Sequence, residues 1–341
     1  LKNVLNIKGL SVEFSTPLGS IRALKNIDLD VPRGSILGVV GESGCGKSTI
    51  SNSILGLLAN NARVRSGVIE FDGENLLNKS QRDLREIRGQ KISVIFQDPM
   101  TTLNPVLSIG TQMTDILYRD AISMTEKRKR SVEILVRVGM PDPERRLDMY
   151  PHELSGGQRQ RICIAMAVMM KPVLLIADEA TTALDATLER EIIKLLKELQ
   201  SELGCTMLFV THHLGVVASL CDNVVVMHDG KIKEHGAVAE VFGNPQDNYT
   251  KTLLRCDPAW IKEKTRQLPI MTDDPNKPLT IDRGPEGRIK VLEAPILEIS
   301  SLHVRFEKAP FLRGLLGGKS FRIDAVKDVA LKLNRGETLA I

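Results

Sequence analysis

The stretch Gly41 to Thr49 reads GESGCGKST, and its residue types at this spacing suit phosphate chemistry. Gly41, Gly44 and Gly46 let the backbone turn tightly and aim successive N–H groups at one spot. Lys47 adds a full positive charge for β- and γ-phosphates, and the Ser48 hydroxyl suits Mg²⁺. The pattern G-x-x-x-x-G-K-[ST] nominates Gly41, Glu42, Ser43, Gly44, Cys45, Gly46, Lys47, Ser48 and Thr49 as one cradle. Asp178-Glu179 stands 131 residues beyond Lys47, directly behind the apolar run Val173 to Ala177. A carboxylate at the end of a buried strand is well placed for Mg²⁺, and a glutamate beside it for polarising a water. Apolar runs ending in acidic residues are common. Joined to the phosphate loop, this one reads as a nucleotide-hydrolysis site.

The flanking text supplies elements that position these groups. Ile36 to Val40 is a short apolar run, the pattern of a buried strand. Lys47 to Leu58 carries Ile50, Ile54, Leu55, Leu57 and Leu58 at helical spacing, so phosphates would meet a helix N-terminus. Leu10 to Phe14 and Ile27 to Val31 alternate apolar and polar and predict antiparallel strands joined through Ser15 to Gly19. A further strand pair is expected around Gly67 to Phe71 and Lys91 to Phe96. Helical text follows from Gln97 to about Tyr150, where Glu126 to Arg130 reads as a solvated face. Leu154 to Gln158 opens a helix running through Met170, and Val173 to Ala177 reads as a strand of a parallel sheet. Thr187 to Leu203 is an amphipathic helix, and Met207 to Val210 and Val224 to Met227 are strands. Alternating strands and helices predict an α/β fold with a mostly parallel core.

Composition narrows the class. The 341 residues are 42% hydrophobic and carry a net charge of only +4, far from the cationic field of a dedicated nucleic-acid binder. Cys45, Cys163, Cys205, Cys221 and Cys256 form no C-x-x-C pair and read as reduced thiols of a cytosolic protein. No apolar run reaches the ~18 residues that a spanning helix needs. A role at a membrane therefore requires other chains to supply the pore. No signal peptide is visible, and the opening residue is Leu1 rather than Met, as in a chain lacking residues upstream.

The beginning of the chain returns near its end. Leu297 to Phe306 mirrors Leu5 to Phe14, and Ala325 to Gly336 mirrors Ala23 to Gly34 after a ten-residue insertion. The repeat stops just before its phosphate loop would begin. The expected organisation is a first domain over 1–250 with a helical subdomain at about 98–165, a tail or linker over 251–295, and the β segment of a second copy over 296–341. That segment, without its helices, should be a marginal appendage. Within its insertion, Arg313 to Lys319 reads as an exposed turn.

Gln97, Leu154-Ser155-Gly156-Gly157-Gln158, Asp178-Glu179, Ala183-Leu184-Asp185 and Thr211-His212 stand in the order of the ATP-binding-cassette (ABC) ATPases, which the chain resembles over about 5–250 and 297–341. The resemblance implies a P-loop NTPase core with an antiparallel β subdomain and a helical subdomain. It implies ATP and Mg²⁺, with Ser48, Gln97 and Asp178 around the metal. Glu179 would be the base, and Lys47, His212 and Gln97 would share in catalysis. Phe14 matches the aromatic that stacks on adenine, with a core phenylalanine an equal alternative. Ser155, Gly156, Gly157, Gln158 and Asp185 match the signature and D-loop groups that a second cassette presents.

Gln97 to Pro105 (QDPMTTLNP), Tyr150 to Ser155, Asn244-Pro245 and Tyr249-Thr250 are similar to the oligopeptide, dipeptide and nickel importer ATPases, and the duplication to their fused two-cassette type. The partners so implied are a second cassette, two integral membrane permeases and, indirectly, an extracytoplasmic solute-binding protein, with no nucleic acid. The place implied is the cytoplasmic face of the inner membrane, as a peripheral subunit. Peptides, opines, glutathione-like compounds and nickel all remain open as solutes. Cys256 stands alone in a tail that often carries several cysteines, so no metal cluster is expected. Ala180 replaces the usual proline after the glutamate, which would loosen the turn aiming Glu179. His213 replaces a common aspartate. The alternative is a soluble twin-cassette ATPase of the translation-factor branch, which would share every ATP residue.

Overall fold

Alternation of buried and exposed residues shapes the opening hairpin, in which β1 (Asn3–Thr16) and β2 (Gly19–Pro32) pair antiparallel from Thr16↔Gly19 to Asn3↔Pro32. The computed structural model describes residues 2–17, 19–182, 184–257, 292–308, 321–337 and 339. After the hairpin the fully buried β3 (Ile36–Val40) leads through the glycine-rich loop into α1 (Lys47–Leu55). That helix stops earlier than its apolar spacing suggests, because Gly56 takes a left-handed conformation at φ 62° and turns the chain. Then β4 (Ala62–Phe71) pairs with β1, and the short β5 (Glu74–Asn75) completes a four-stranded sheet in the order β2-β1-β4-β5.

Beyond α2 (Gln81–Ile87), β6 (Ile92–Ile95) enters a different sheet, parallel to β7 (Leu174–Asp178). The expected pairing of Gly67 to Phe71 with Lys91 to Phe96 is thus corrected: both are strands, but each finds its partner elsewhere. Periodicity identifies a strand without naming its neighbour. Between β6 and β7 lie α3 (Pro99–Thr102), α4 (Ile109–Ile116), α5 (Met124–Arg137), α6 (Pro143–Leu147) and α7 (Gly156–Val168). The charged run on α5 is solvated, with Arg128 on Asp148 and Arg130 on Asp120 at 2.9 Å each.

After β7 come α8 (Ala186–Leu203), β8 (Thr206–Val210), α9 (Leu214–Leu220), β9 (Asn223–His228) and β10 (Lys231–Ala237). The second sheet runs β10-β9-β3-β8-β7-β6, parallel except at β10, and its two faces carry separate cores. Ile36 and Val40 face one, with α7 and α8; Leu37 and Val39 face the other, with α1 and the β1–β2 hairpin. Two further helices, α10 (Val238–Gly243) and α11 (Asn248–Cys256), pack back onto this body, so a boundary at 250 falls inside α11.

The chain divides into two compact units, Leu1–Thr280 and Ile281–Ile341. In the second, β11 (Leu292–Lys308) and β12 (Phe321–Arg335) form an antiparallel hairpin. Its register repeats the first hairpin: Leu5↔Val31, Leu10↔Ile27 and Glu13↔Arg22 recur as Leu297↔Leu333, Leu302↔Val329 and Arg305↔Asp324. Left-handed residues recur too, Gly9, Asn26 and Gly34 matching Ser301, Asp328 and Gly336. Burial does not recur. Leu5 and Leu10 are fully buried, whereas Leu297 and Leu302 are 46% and 38% exposed. The segments 258–291 and Arg313 to Lys319 lie outside the described residues.

Candidate functional site

Parallel pairing gathers the chemistry at one edge of the second sheet. Val210 at the end of β8 is level with Val39 on β3 and with Asp178 on β7. The phosphate loop, Asp178-Glu179 and Thr211-His212 therefore leave the sheet together, at the carboxyl ends of neighbouring strands. Gln97 follows β6, whose Ile95 is level with Ala177, and so emerges at the same edge.

The loop is shaped for an anion. Gly41, Gly44 and Gly46 all have positive φ, at 152°, 83° and 108°. A Cβ on Gly41 would meet the Met227 carbonyl at 2.2 Å and one on Gly46 the Ala23 carbonyl at 2.7 Å, so only glycine fits. Gly46 caps α1 with no side-chain hydrogen bond, leaving the first-turn N–H groups to an outside acceptor. Lys47 is buried at 4% exposure, and its ammonium donates to the carbonyls of Gly41 (2.8 Å) and Glu42 (2.9 Å).

Ser48 Oγ donates to Asp178 Oδ1 at 3.2 Å, joining loop to strand end. Burial pushes the Asp178 carboxyl above the usual carboxylate range; the Ser48 bond opposes this and the Glu179 charge adds to it. A half-desolvated carboxylate beside a hydroxyl and a phosphate cradle fits a hard divalent cation such as Mg²⁺. Glu179 sits at φ 50°, a left-handed position that costs energy for a non-glycine residue. Its N–H donates to Val210 O (2.8 Å), and Gln160 Nε2 holds Ala180 O at 2.6 Å. Ala180 is 1% exposed, so this turn is braced by hydrogen bonds and packing where a proline was expected to stiffen it. His212 Nδ1 lies 3.4 Å from Glu179 Oε1, and Thr182 Oγ1 donates to Oε2 at 3.4 Å.

Other predicted residues fall elsewhere. Gln97 is exposed, and among the described residues no hydrogen bond links it to Ser48 or Asp178. Phe14 is partly buried and packs against the β-subdomain core, opposite Ile21 of β2. Ser155, Gly156, Gly157, Gln158 and Asp185 line one cavity with Leu188, to which the phosphate loop contributes nothing. There Ser155 Oγ accepts from Gln158 N–H while Gln158 Oε1 accepts from Ser155 N–H, a capping box on α7. Asp185 caps α8 by accepting from Thr187 and Leu188 N–H.

Three further residues lie beside these groups without having been assigned a place in the site from the sequence. His213 Nδ1 pairs with Glu189 Oε1 at 3.1 Å and sets its ring edge-on to His212, with centroids 4.7 Å apart. Tyr249 and His228 flank the phosphate loop, with ring centroids 4.1 Å apart. Tyr249-Thr250 was visible only as a tail marker; no spacing ties it to a loop some 200 residues earlier, where Tyr249 and Glu42 meet at a sequence separation of 207.

Both the sequence and the fold are similar to those of known proteins. The model of the ABC transporter family matches residues 24–182. The oligopeptide transport ATP-binding protein OppD of Bacillus subtilis (strain 168) is 40% identical over 309 residues, 90% of this chain and 84% of that protein. The peptidoglycan transport ATP-binding protein YejF of Agrobacterium fabrum (strain C58 / ATCC 33970) is 48% identical over 257 residues, 75% of this chain but only 47% of that protein. Among solved structures, the dimeric post-hydrolysis state of the ATP-binding cassette MJ0796 bound to ADP and Pi superposes with a TM-score of 0.62 at 31% identity, covering 69% of this chain and 98% of that one.

Proposed function

The chain belongs to the ATP-binding proteins of ABC transporters and is an ATPase, and from that premise we propose that it energises import of peptides or peptide-like solutes through separate membrane permeases. The observation that carries this reading is the meeting of Lys47, Ser48, Asp178, Glu179 and His212 at one sheet edge. The relatives' names, both transport ATP-binding proteins, favour the transporter reading over the ribosomal alternative. A peripheral place on the cytoplasmic face belongs to the same proposal, by likeness to the transport ATP-binding relatives. Among the described residues no helix is long and apolar enough to cross a membrane.

In this mechanism the loop N–H groups and Lys47 take up the β- and γ-phosphate oxygens, Lys47 exchanging its two carbonyl acceptors for them. Ser48, Asp178 and Gln97 would hold Mg²⁺, which when bound would supply charge neutralisation at the phosphates. Glu179 orients the attacking water and takes its proton, and His212 steadies the Glu179 carboxylate and the γ-phosphate. Ser155 to Gln158 and Asp185 would serve the site of a facing cassette. Closure and reopening of the pair would then drive the permeases.

The β11–β12 hairpin fits the opening hairpin of a second cassette. Its register and left-handed positions support this, as does a relative about twice the aligned length. The test is peptide uptake into proteoliposomes holding the permeases and solute-binding protein. Wild-type chain should drive uptake of labelled tri- and tetrapeptides, and Glu179→Gln should retain MgATP but transport nothing. Uptake by the Glu179→Gln protein, or none of any peptide class by the wild type, would overturn the reading.

A further inference from the structure

The tail helix α11 reaches the phosphate loop. Glu42 N–H donates to Tyr249 Oη at 3.3 Å, while Lys47 Nζ donates to Gly41 O at 2.8 Å. Gly41 C=O and Glu42 N–H are the two ends of one planar peptide group, and in a trans peptide they point opposite ways. That single plane is held on its oxygen by the lysine and on its N–H by the phenol. We infer that Tyr249 is a positioning residue for nucleotide binding, fixing the peptide plane from which Lys47 is presented to phosphate. The inference rests on the nucleotide reading above and adds the tail to the site.

The phenol's place is set independently of the loop. Glu234 on β10 accepts from Gln246 N–H (2.8 Å) and Asp247 N–H (3.1 Å), fastening the approach to α11. Asp247 then caps the helix by accepting from Tyr249 N–H at 2.7 Å, and Thr250 and Leu254 are buried beneath it. His228, at the end of β9, lies against the Tyr249 ring and 3.7 Å from the Glu42 carboxylate. Next to it Gly230 N–H donates to Cys45 O at 3.0 Å. Burial pushes the phenol up to about 12, so it stays neutral across working pH. The loop therefore leans on a surface built by β9, β10 and the tail.

The test compares MgADP affinity by calorimetry and amide hydrogen exchange in the wild-type chain, Tyr249→Phe and Lys47→Ala. Tyr249→Phe keeps the ring on His228 and removes only the acceptor. Its affinity should fall about fivefold, the effect of one hydrogen bond, and exchange should quicken at Glu42 with α11 unchanged. Unchanged affinity, or quickened exchange spread along α11, overturns the inference and leaves Tyr249 a packing residue. The lysine variant separates the two readings: if it binds as tightly as wild type, the nucleotide site itself is wrong. If it loses binding while Tyr249→Phe does not, only the role of Tyr249 falls.

Discussion

The phosphate loop and the Ser155 to Gln158 turn both set small residues before a helix, yet they finish those helices differently. At α1 the cap is Gly46 and no side chain serves the first-turn N–H groups, while a lysine and an aspartate crowd close by. At α7, Ser155 and Gln158 satisfy one another, and the first turn carries no acidic residue. A helix start left uncapped beside a buried ammonium is unfinished without an anion; a self-capped start is not. The first should bind nucleotide within one chain, and the second should act only on nucleotide already held by a partner.

The sharpest way to break this contrast is Ser155→Arg, which fills the cavity beside Asp185. Turnover with the permeases should fall roughly 10²–10³-fold, the range for losing a transition-state donor, while MgADP affinity of the isolated chain stays within about twofold. Calorimetry alongside a phosphate-release assay checks both halves. Lost affinity would place α7 inside the single-chain site. A smaller effect probes the other side through Asp178. Its carboxyl is raised by burial, so the folded state holds the proton more tightly than the unfolded chain does. Its contribution to stability is then greatest at acid pH and is lost as pH rises through the raised value. Asp178→Asn should raise the apo melting temperature at pH 7 by about 2 °C, a gain that vanishes at acid pH, and should remove the stabilisation by added Mg²⁺. Scanning calorimetry at the two pH values decides it.

Gly41 to Thr49 was legible because its chemistry is local: each residue serves the loop it belongs to. Asp178 and His212 were legible only in company, since their roles depend on strands becoming neighbours. The partner of Gly67 to Phe71 was misread because the same alternation satisfies any strand. Tyr249 was invisible as a site residue, for its contact with Glu42 exists only once β9, β10 and the tail have packed. The echo of Leu5 to Phe14 in Leu297 to Phe306 was read from the sequence down to individual positions, and the pairing of each hairpin follows it.

Two hairpins of one register within a polypeptide pose a problem of mistaken identity during synthesis. β4 must choose β1 over β11, and charge at the Glu13 position is one feature that tells them apart. Glu13 on β1 receives Arg65 of β4 through two bonds, at 2.9 and 3.2 Å, whereas the matching residue of β11 is Arg305. An intruding β11 would set guanidinium against guanidinium across the ladder, which disfavours the swap. Arg305→Glu would remove this charge difference, and refolding should then yield more entangled, protease-sensitive chains, seen as excess high-mass material on size exclusion.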